Sequence, residues 1–237
     1  VETLRAREQA ETDEGQRRRA MVQAATILAA KVGDVPEAIN AWRAVLDAFG
    51  PERSTLGALA ELYARAERWT DLAETLEVEL SLVDEAPARA ALLARLGDAK
   101  RLHLGDQTGA LEAYREALIL EPTLAAAREA LGAMLENPEV RKEAAQVLQP
   151  LHEAEADANA LLRVLEIQIE DADSPDARLE LLDRARATAE GSLGDSERAY
   201  GIAARGAKEA VGEASIGTWV DTVERLAAAT GSWKPTV

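Results

Sequence analysis

Few side chains of this chain have the types and spacing that catalysis or metal binding requires. The two histidines, His103 and His152, lie in different segments, whereas a catalytic centre needs several groups positioned together. Glu74, Glu77 and Glu79 recur at helical spacing, but without a histidine or a glycine-bearing calcium loop they indicate a solvated helix face. We therefore expect surface or packing roles for both histidines and no metal site.

Cofactor chemistry has equally little support. Gly191, Gly194 and Gly201 do not have the spacing of a phosphate-binding loop. The absence of cysteine excludes disulfides and thiolate metal sites. We predict no cofactor, and a chain that is not an enzyme.

The charge balance narrows the choice of partners. The net charge is −16, with 43 acidic against 27 basic residues, and the longest basic run is Arg17-Arg18-Arg19. Nucleic acid and anionic membranes are therefore not expected as partners, and no apolar run approaches the roughly 18 residues of a membrane span. The acidity indicates either the solubility of a long surface or a basic partner. No signal peptide is visible, but a chain that starts within a repeat would not show one, so the compartment stays open, with the cytoplasm slightly favoured.

The composition predicts an all-α chain. Alanine, leucine, glutamate and arginine favour helices, and aromatic residues make up only 3%. Apolar positions at helical spacing predict helices over 1–12, 15–32, 35–48, 52–66, 69–83, 88–104, 107–120, 123–136, 139–154, 158–170, 175–192, 195–210 and 214–229. Gly33 and Gly105 mark expected helix ends, and Asn137 marks the expected start of a helix. Residues 1–12 look like the end of a helix, and we expect about twelve helices in all.

The chain also repeats itself. A shift of 72 residues places Glu2-Thr3-Leu4 on Glu74-Thr75-Leu76, and a shift of 89 places Leu104-Gly105-Asp106 on Leu193-Gly194-Asp195. A fixed period of helical units is typical of a stacked array, in which each unit buries its apolar face against its neighbours. The sequence thus predicts one continuous α-solenoid of antiparallel helical hairpins.

The two periods differ by 89 − 72 = 17 residues, about one helix and a turn. We infer one extra helix within 123–170 and a kink there, helped by Pro150, because proline removes a backbone hydrogen bond. The expected organisation is therefore regular repeats over 1–122, an irregular segment over 123–170 and degenerate repeats over 171–237. Both ends look like cuts in a longer protein.

Segment 105–122 resembles the second half of a tetratricopeptide repeat, through Gly105, Ala110, Tyr114, Ala117 and Pro122. A weaker copy has Gly33, Ala38 and Trp42, and the first half of the motif is matched by Leu56, Leu59, Ala60 and Tyr63. One extra residue before Gly105 breaks the register. The resemblance implies a right-handed superhelix that binds other proteins.

The larger unit resembles arrays in big proteins of myxobacteria and related deltaproteobacteria, some of which are linked to gliding motility. Arg68-Trp69-Thr70-Asp71-Leu72-Ala73 and Leu104-Gly105-Asp106 carry this likeness.

The third cycle departs from the pattern, with Ala203 at the aromatic position and Gly201 and Gly206 inside a helix, so we expect it to be the least stable. The aromatic side chains of Trp42, Tyr63, Trp69, Tyr114 and Trp219 are expected in the core.

The tetratricopeptide resemblance implies binding on the concave face, through polar positions of each first helix. These positions are Ser54, Glu61, Arg65, Asp98 and Arg101. The Lys/Asn set that clamps a peptide carboxylate in some family members is absent, and Glu61 and Asp98 would repel such a group. Ordinary solvated charges remain the alternative at these positions.

Together these patterns predict a protein-interaction scaffold that holds a protein or peptide segment. The acidic surface is compatible with a basic partner. Two alternatives stay open. One is a structural spacer or an array that associates with itself through its repeat ends, and the other is a regulatory arm of a larger enzyme.

Overall fold

The computed structural model describes residues 2–30 and 35–231, with side chains from residue 13 onward. The described residues form twelve α-helices, two π-helical turns and no strand. The helices are α1 (Glu2–Ala30), α2 (Val35–Phe49), α3 (Arg53–Arg65), α4 (Trp69–Leu80), α5 (Ala86–Ala99), α6 (Gln107–Leu120), α7 (Ala125–Met134), α8 (Arg141–Ala154), α9 (Ala158–Glu170), α10 (Pro175–Ala187), α11 (Ser196–Glu209) and α12 (Ile216–Thr230). The π turns are Lys100–Leu104 and Thr188–Ser192.

The chain divides into two compact units, residues 1–127 and 128–237. In the first unit, each helix from α1 to α6 packs on the next one along the chain. In the second unit, α8 to α12 pack in the same sequential way. This all-α arrangement of antiparallel helical hairpins confirms the fold class expected from the sequence.

Helices in both units bury apolar stripes against one another. In the first unit, fully buried side chains include Leu56, Leu59, Leu76 and Tyr114. In the second unit, the core contains Leu162, Leu165, Leu182 and Leu226. Their spacing within each helix places them on one side, so neighbouring helices bury each other's stripes.

Two Gly-Asp pairs join a helix to its successor in the same way. Gly105 and Gly194 adopt left-handed backbone conformations, with φ of 70° and 65°, which glycine reaches without a steric penalty. The following Asp106 and Asp195 accept hydrogen bonds from the third amide of the next helix, at 2.9 Å in both cases. Such N-caps satisfy a donor that the helix itself leaves unpaired.

A π turn precedes each Gly-Asp pair. The π-helical turn holds one residue more than an α-helical turn, so Lys100–Leu104 absorbs the extra residue that interrupts the repeat pattern before Gly105. Thr188–Ser192 does the same before Gly194. The break in register is therefore a local widening of the helix, and the hairpin continues beyond it.

Three predictions from the sequence are wrong in detail. Residues 2–30 form one continuous helix instead of two. The helix predicted from residue 139 begins at Arg141 after Val140, because Asn137 closes a turn by accepting the Glu139 amide at 3.0 Å. Trp69 is only half-buried. The helix end expected at Gly33 lies outside the described residues.

Pro150 lies inside α8, which continues from Arg141 to Ala154. The kink proposed for 123–170 stays a prediction. Among the residues that the structure describes, no helix combines the length and the apolar character that crossing a membrane requires.

Candidate functional site

Three of the five predicted binding residues share one face of α3. Ser54, Glu61 and Arg65 are separated by seven and four residues, which brings side chains to the same side of a helix. All three are exposed. The structure thus places them together at the surface of the first unit.

Glu61 is paired with a residue that the sequence analysis did not single out. Arg95 of α5 donates a hydrogen bond to the Glu61 carboxylate at 2.7 Å. Arg95 comes 34 residues after Glu61, the usual length of the repeat that the chain resembles. Opposite charges at this separation are the sequence signal that could have identified the pair.

Arg65 contacts the end of another helix. Its guanidinium donates to the Ala29 carbonyl oxygen at 3.2 Å. The last four carbonyls of an α-helix have no partner within the helix, and α1 ends at Ala30. Arg65 therefore satisfies one of these carbonyls and links α3 to α1.

Asp98 and Arg101 are both held by Tyr114, which is fully buried. The Tyr114 hydroxyl donates to Asp98 at 2.7 Å and accepts from the Arg101 guanidinium at 3.3 Å. Burial raises the pKa of the Tyr114 hydroxyl, and Asp98 adds to this effect while Arg101 opposes it. The two charged groups are thus fixed at the surface by an aromatic side chain in the core.

A recurring set of ion pairs joins alternate helices, or the turns at their ends, across the surface. We call them the inter-repeat ion pairs. In the first unit they are Arg18–Glu52, Arg53–Glu85 and Glu61–Arg95. In the second unit they are Glu136–Arg163, Glu153–Arg184, Glu166–Arg205 and Glu190–Arg225. Each exposed pair contributes at most about 1 kcal/mol, and the pairs recur between alternate helices in both units.

Trp69, at the start of α4, and His103, in the π turn after α5, stack face to face. Their ring centroids are 3.5 Å apart and the ring planes differ by 5°. The neighbouring Arg68 lies over the Tyr63 ring, 4.9 Å from its centroid, and binds Asp71 through two hydrogen bonds of 2.8 Å. The Arg68-Trp69 pair at the start of α4 therefore contacts Tyr63 of α3 and His103 of the π turn after α5. His103 packs on Trp69 and remains exposed to solvent.

The prediction that Glu74, Glu77 and Glu79 form one solvated face is wrong for Glu79. Glu74 and Glu77 are exposed, whereas Glu79 is only 6% exposed. The reason is its register, because Glu79 follows Leu72 by seven residues and Leu76 by three and so falls on the buried stripe of α4. This register was visible in the sequence.

The Glu79 carboxylate lies in an unusual environment. Its Oε2 atom is buried and has no hydrogen-bond partner among the described residues. Burial raises the pKa of this carboxyl, while the charges of Arg95 and Arg53 oppose the shift. The structure thus holds a buried acid beneath the face that carries Ser54 and Glu61.

No group of three or more histidine, cysteine, aspartate or glutamate side chains within the described part of the chain could hold a metal ion. His152, the second histidine, is half-buried, and burial lowers its pKa. Three charged side chains also act on the pKa of His152: Asp157 and Glu155 raise it, and Arg128 lowers it.

The chain was compared with known proteins. No family model matches it, and no curated protein matches it. Among solved structures, it is similar to a tetratricopeptide repeat protein from Parabacteroides merdae, with 14% identity, a TM-score of 0.41, and coverage of 88% of this chain and 99% of that chain. It is also similar to MamA, with 18% identity, a TM-score of 0.34 and coverage of 83% and 92%. A third similar structure is the TPR2AB domain of yeast Sti1 in a complex with pHSP90, with 18% identity, a TM-score of 0.34 and coverage of 93% and 92%.

Proposed function

We propose that the chain is a non-enzymatic scaffold that holds a segment of a partner protein on the surface formed by α3 and α5. This scaffold surface is defined by Ser54, Glu61, Arg65, Asp98 and Arg101. The observation that carries the proposal is the Glu61–Arg95 hydrogen bond of 2.7 Å, which joins the two helices across the surface. The bond links the two helices that carry Ser54, Glu61, Arg65 and Asp98.

Such a surface would bind a partner without catalysing a reaction. Because its groups are already positioned by Tyr114, Arg95 and the end of α1, less conformational entropy is lost when a partner docks. An extended or helical segment could lie across α3 and α5 and form its own ion pairs with Glu61 and Arg95.

Site-specific photo-crosslinking in a native lysate tests this proposal. A benzophenone side chain at Ser54 should capture a discrete partner, because Ser54 is exposed on the scaffold surface. The matched control is the same group at Glu74, which is exposed on α4. Equal capture at both positions, or capture at Glu74 alone, would contradict the proposed surface.

The inter-repeat ion pairs favour a second candidate, a structural spacer that associates with copies of itself. Pairs in both units tie alternate helices together, which suits an element that must keep its length. Light scattering over a concentration series separates the two functions. A monomer that is crosslinked from Ser54 supports the scaffold, and concentration-dependent growth with no crosslink supports the spacer.

The bacterial setting belongs to the same proposal. The Arg68-Trp69 and Leu104-Gly105-Asp106 signatures resemble those of long arrays in myxobacterial proteins, which would place the scaffold in a large assembly such as gliding machinery. An alternative place is the regulatory arm of a larger enzyme.

A further inference from the structure

The buried carboxylate of Glu79 lacks a partner that its chemistry requires. A buried carboxylate is unfavourable unless it is paired and hydrogen-bonded. The two guanidinium groups whose charges reach Glu79 are already paired with other acids. Arg95 binds Glu61 at 2.7 Å and Arg53 lies 3.9 Å from Glu85. The Oε2 atom of Glu79 has no hydrogen bond within the described residues.

A glycine on the scaffold surface lies directly over this carboxylate. A Cβ atom at Gly57 would be 3.9 Å from Oε1 of Glu79 and would meet no nearer atom. Gly57 is inside α3, three residues after Ser54 and four before Glu61, so it lies on the face that those two share. We call the space above Glu79 the Gly57 notch.

Packing does not require glycine at this position. A distance of 3.9 Å is an ordinary van der Waals contact, so the structure has room for an alanine methyl group at residue 57. Glycine inside a helix also lowers stability by about 1 kcal/mol relative to alanine. The missing side chain is therefore unfavourable for folding alone, and it leaves the Oε1 atom of Glu79 uncovered on the side of Gly57.

We propose that the Gly57 notch receives a lysine side chain of the partner segment, whose ammonium group binds the carboxylate of Glu79. This inference rests on the proposed scaffold function and names the partner's chemistry. The local charge supports it, because Glu61, Glu79 and Glu85 outnumber Arg53 and Arg95 by one. Lysine fits better than arginine, since Oε1 is the one oxygen of Glu79 near Gly57; a compact ammonium needs a single acceptor, whereas the planar guanidinium is suited to two oxygens side by side.

Binding should depend on the ionisation of Glu79. The charged groups that face it are Arg53 and Glu61 of α3 and Arg95 of α5. Burial raises the pKa of the free carboxyl, and a bound ammonium would lower it again because an opposite charge favours the ionised form. Affinity should therefore fall as the pH decreases and Glu79 takes up a proton.

The direct test is a titration of the ¹⁵N-labelled protein with an acetylated, amidated tetralysine peptide at physiological ionic strength. The amide signals of Gly57 and Glu79 should shift together. Glu79→Gln should weaken binding by about tenfold, which corresponds to the loss of one charge-assisted hydrogen bond. The matched control Glu77→Gln, which neutralises an exposed acid of the same helix, should leave the affinity within about twofold.

A second variant closes the notch without removing the acid. Gly57→Ala should also weaken tetralysine binding by about tenfold, since an ammonium about 2.8 Å from Oε1 would overlap the new methyl group. Gly132→Ala is its control, because a Cβ there meets nothing within 4 Å among the described residues. Both Gly57→Ala and Glu79→Gln should unfold at denaturant concentrations no lower than the wild type, so weaker binding cannot be attributed to unfolding.

Two results would overturn the proposal. The first is wild-type affinity in both Glu79→Gln and Gly57→Ala, which would mean that the acidic chain attracts tetralysine only through its net charge. The second is equal binding of tetra-arginine and tetralysine. The scaffold function is judged separately, because capture from Ser54 that persists in Glu79→Gln would leave the scaffold in place and remove only the lysine site.

Discussion

Gly97 of α5 lies so close to Tyr114 of α6 that a Cβ atom on residue 97 would fall 2.6 Å from the tyrosine Cε1. The Tyr114 ring is fully buried, and its hydroxyl is held by Asp98 and Arg101. The ring is therefore both packed in the core and hydrogen-bonded at its outer end. The closest packing of this hairpin thus depends on glycine at residue 97.

We predict that Gly97→Ala destabilises the chain. The added methyl group would overlap a fixed ring, and overpacking of this kind costs about 1–3 kcal/mol, more than the roughly 1 kcal/mol that alanine gains inside a helix. Urea denaturation followed by circular dichroism measures the difference. Gly57→Ala, in which the new methyl group has room, is the control, and equal midpoints for the two variants would contradict this account.

The two helical glycines of α11 should respond in opposite directions to replacement by alanine. A Cβ at Gly206 would fall 2.3 Å from the Trp219 ring, whereas a Cβ at Gly201 meets nothing within 4 Å among the described residues. We expect Gly206→Ala to lose about 1–3 kcal/mol and Gly201→Ala to gain up to about 1 kcal/mol. Thermal unfolding of the two variants side by side measures both effects. A gain in Gly206→Ala would show that Trp219 can move away.

The π turn at Lys100–Leu104 should tolerate the loss of one residue. Leu102 is 57% exposed, and its deletion would convert the π turn into an α-helical turn while keeping Gly105 as the end of the helix. We expect a folded variant, with cooperative unfolding and an unchanged helical spectrum. Deletion of Ala91 inside α5 is the control, because it would rotate the buried Leu92 and Leu93 away from the core. If both deletions unfold the chain, the π turn is not a removable insertion.

Glu190 joins two arginines and should make stability depend on acid and salt. It accepts hydrogen bonds from Arg225 and Arg186, both at 2.9 Å. The bond from Arg225 is the largest cause that lowers the pKa of Glu190, and Arg186 adds to it. The unfolded chain therefore takes up the proton at a higher pH than the folded chain does. The stabilisation is present above the ordinary pKa of glutamate and is lost as the pH falls through the lowered value.

We therefore expect Glu190→Gln to lose up to about 1 kcal/mol at neutral pH and low salt. The difference from the wild type should shrink at high salt and below pH about 4, where glutamate takes up protons. Chemical denaturation at several pH values measures this. Glu224→Gln, at an exposed position of α12, should show neither effect. A loss that is independent of salt would point to packing instead of charge.

The sequence by itself determined the class of fold. Apolar residues at helical spacing, such as Leu162 and Leu165, can be buried only if their helix packs on another one, so the periodicity predicts hairpins without reference to the tertiary structure. The pairs Gly105-Asp106 and Gly194-Asp195 also act locally, through a left-handed backbone and a side-chain cap. Local signals of this kind are complete within a few residues, and for that reason they can be predicted.

Only the tertiary structure decided which side chains meet between helices. Nothing local requires Arg95 to reach Glu61, Trp219 to occupy the space over Gly206, or Glu79 to lie beneath Gly57. Each of these relationships depends on the distance and rotation between packed helices, which the repeat pattern fixes only approximately. The helices therefore follow from the order of residues, whereas the scaffold surface and the Gly57 notch follow from how those helices pack.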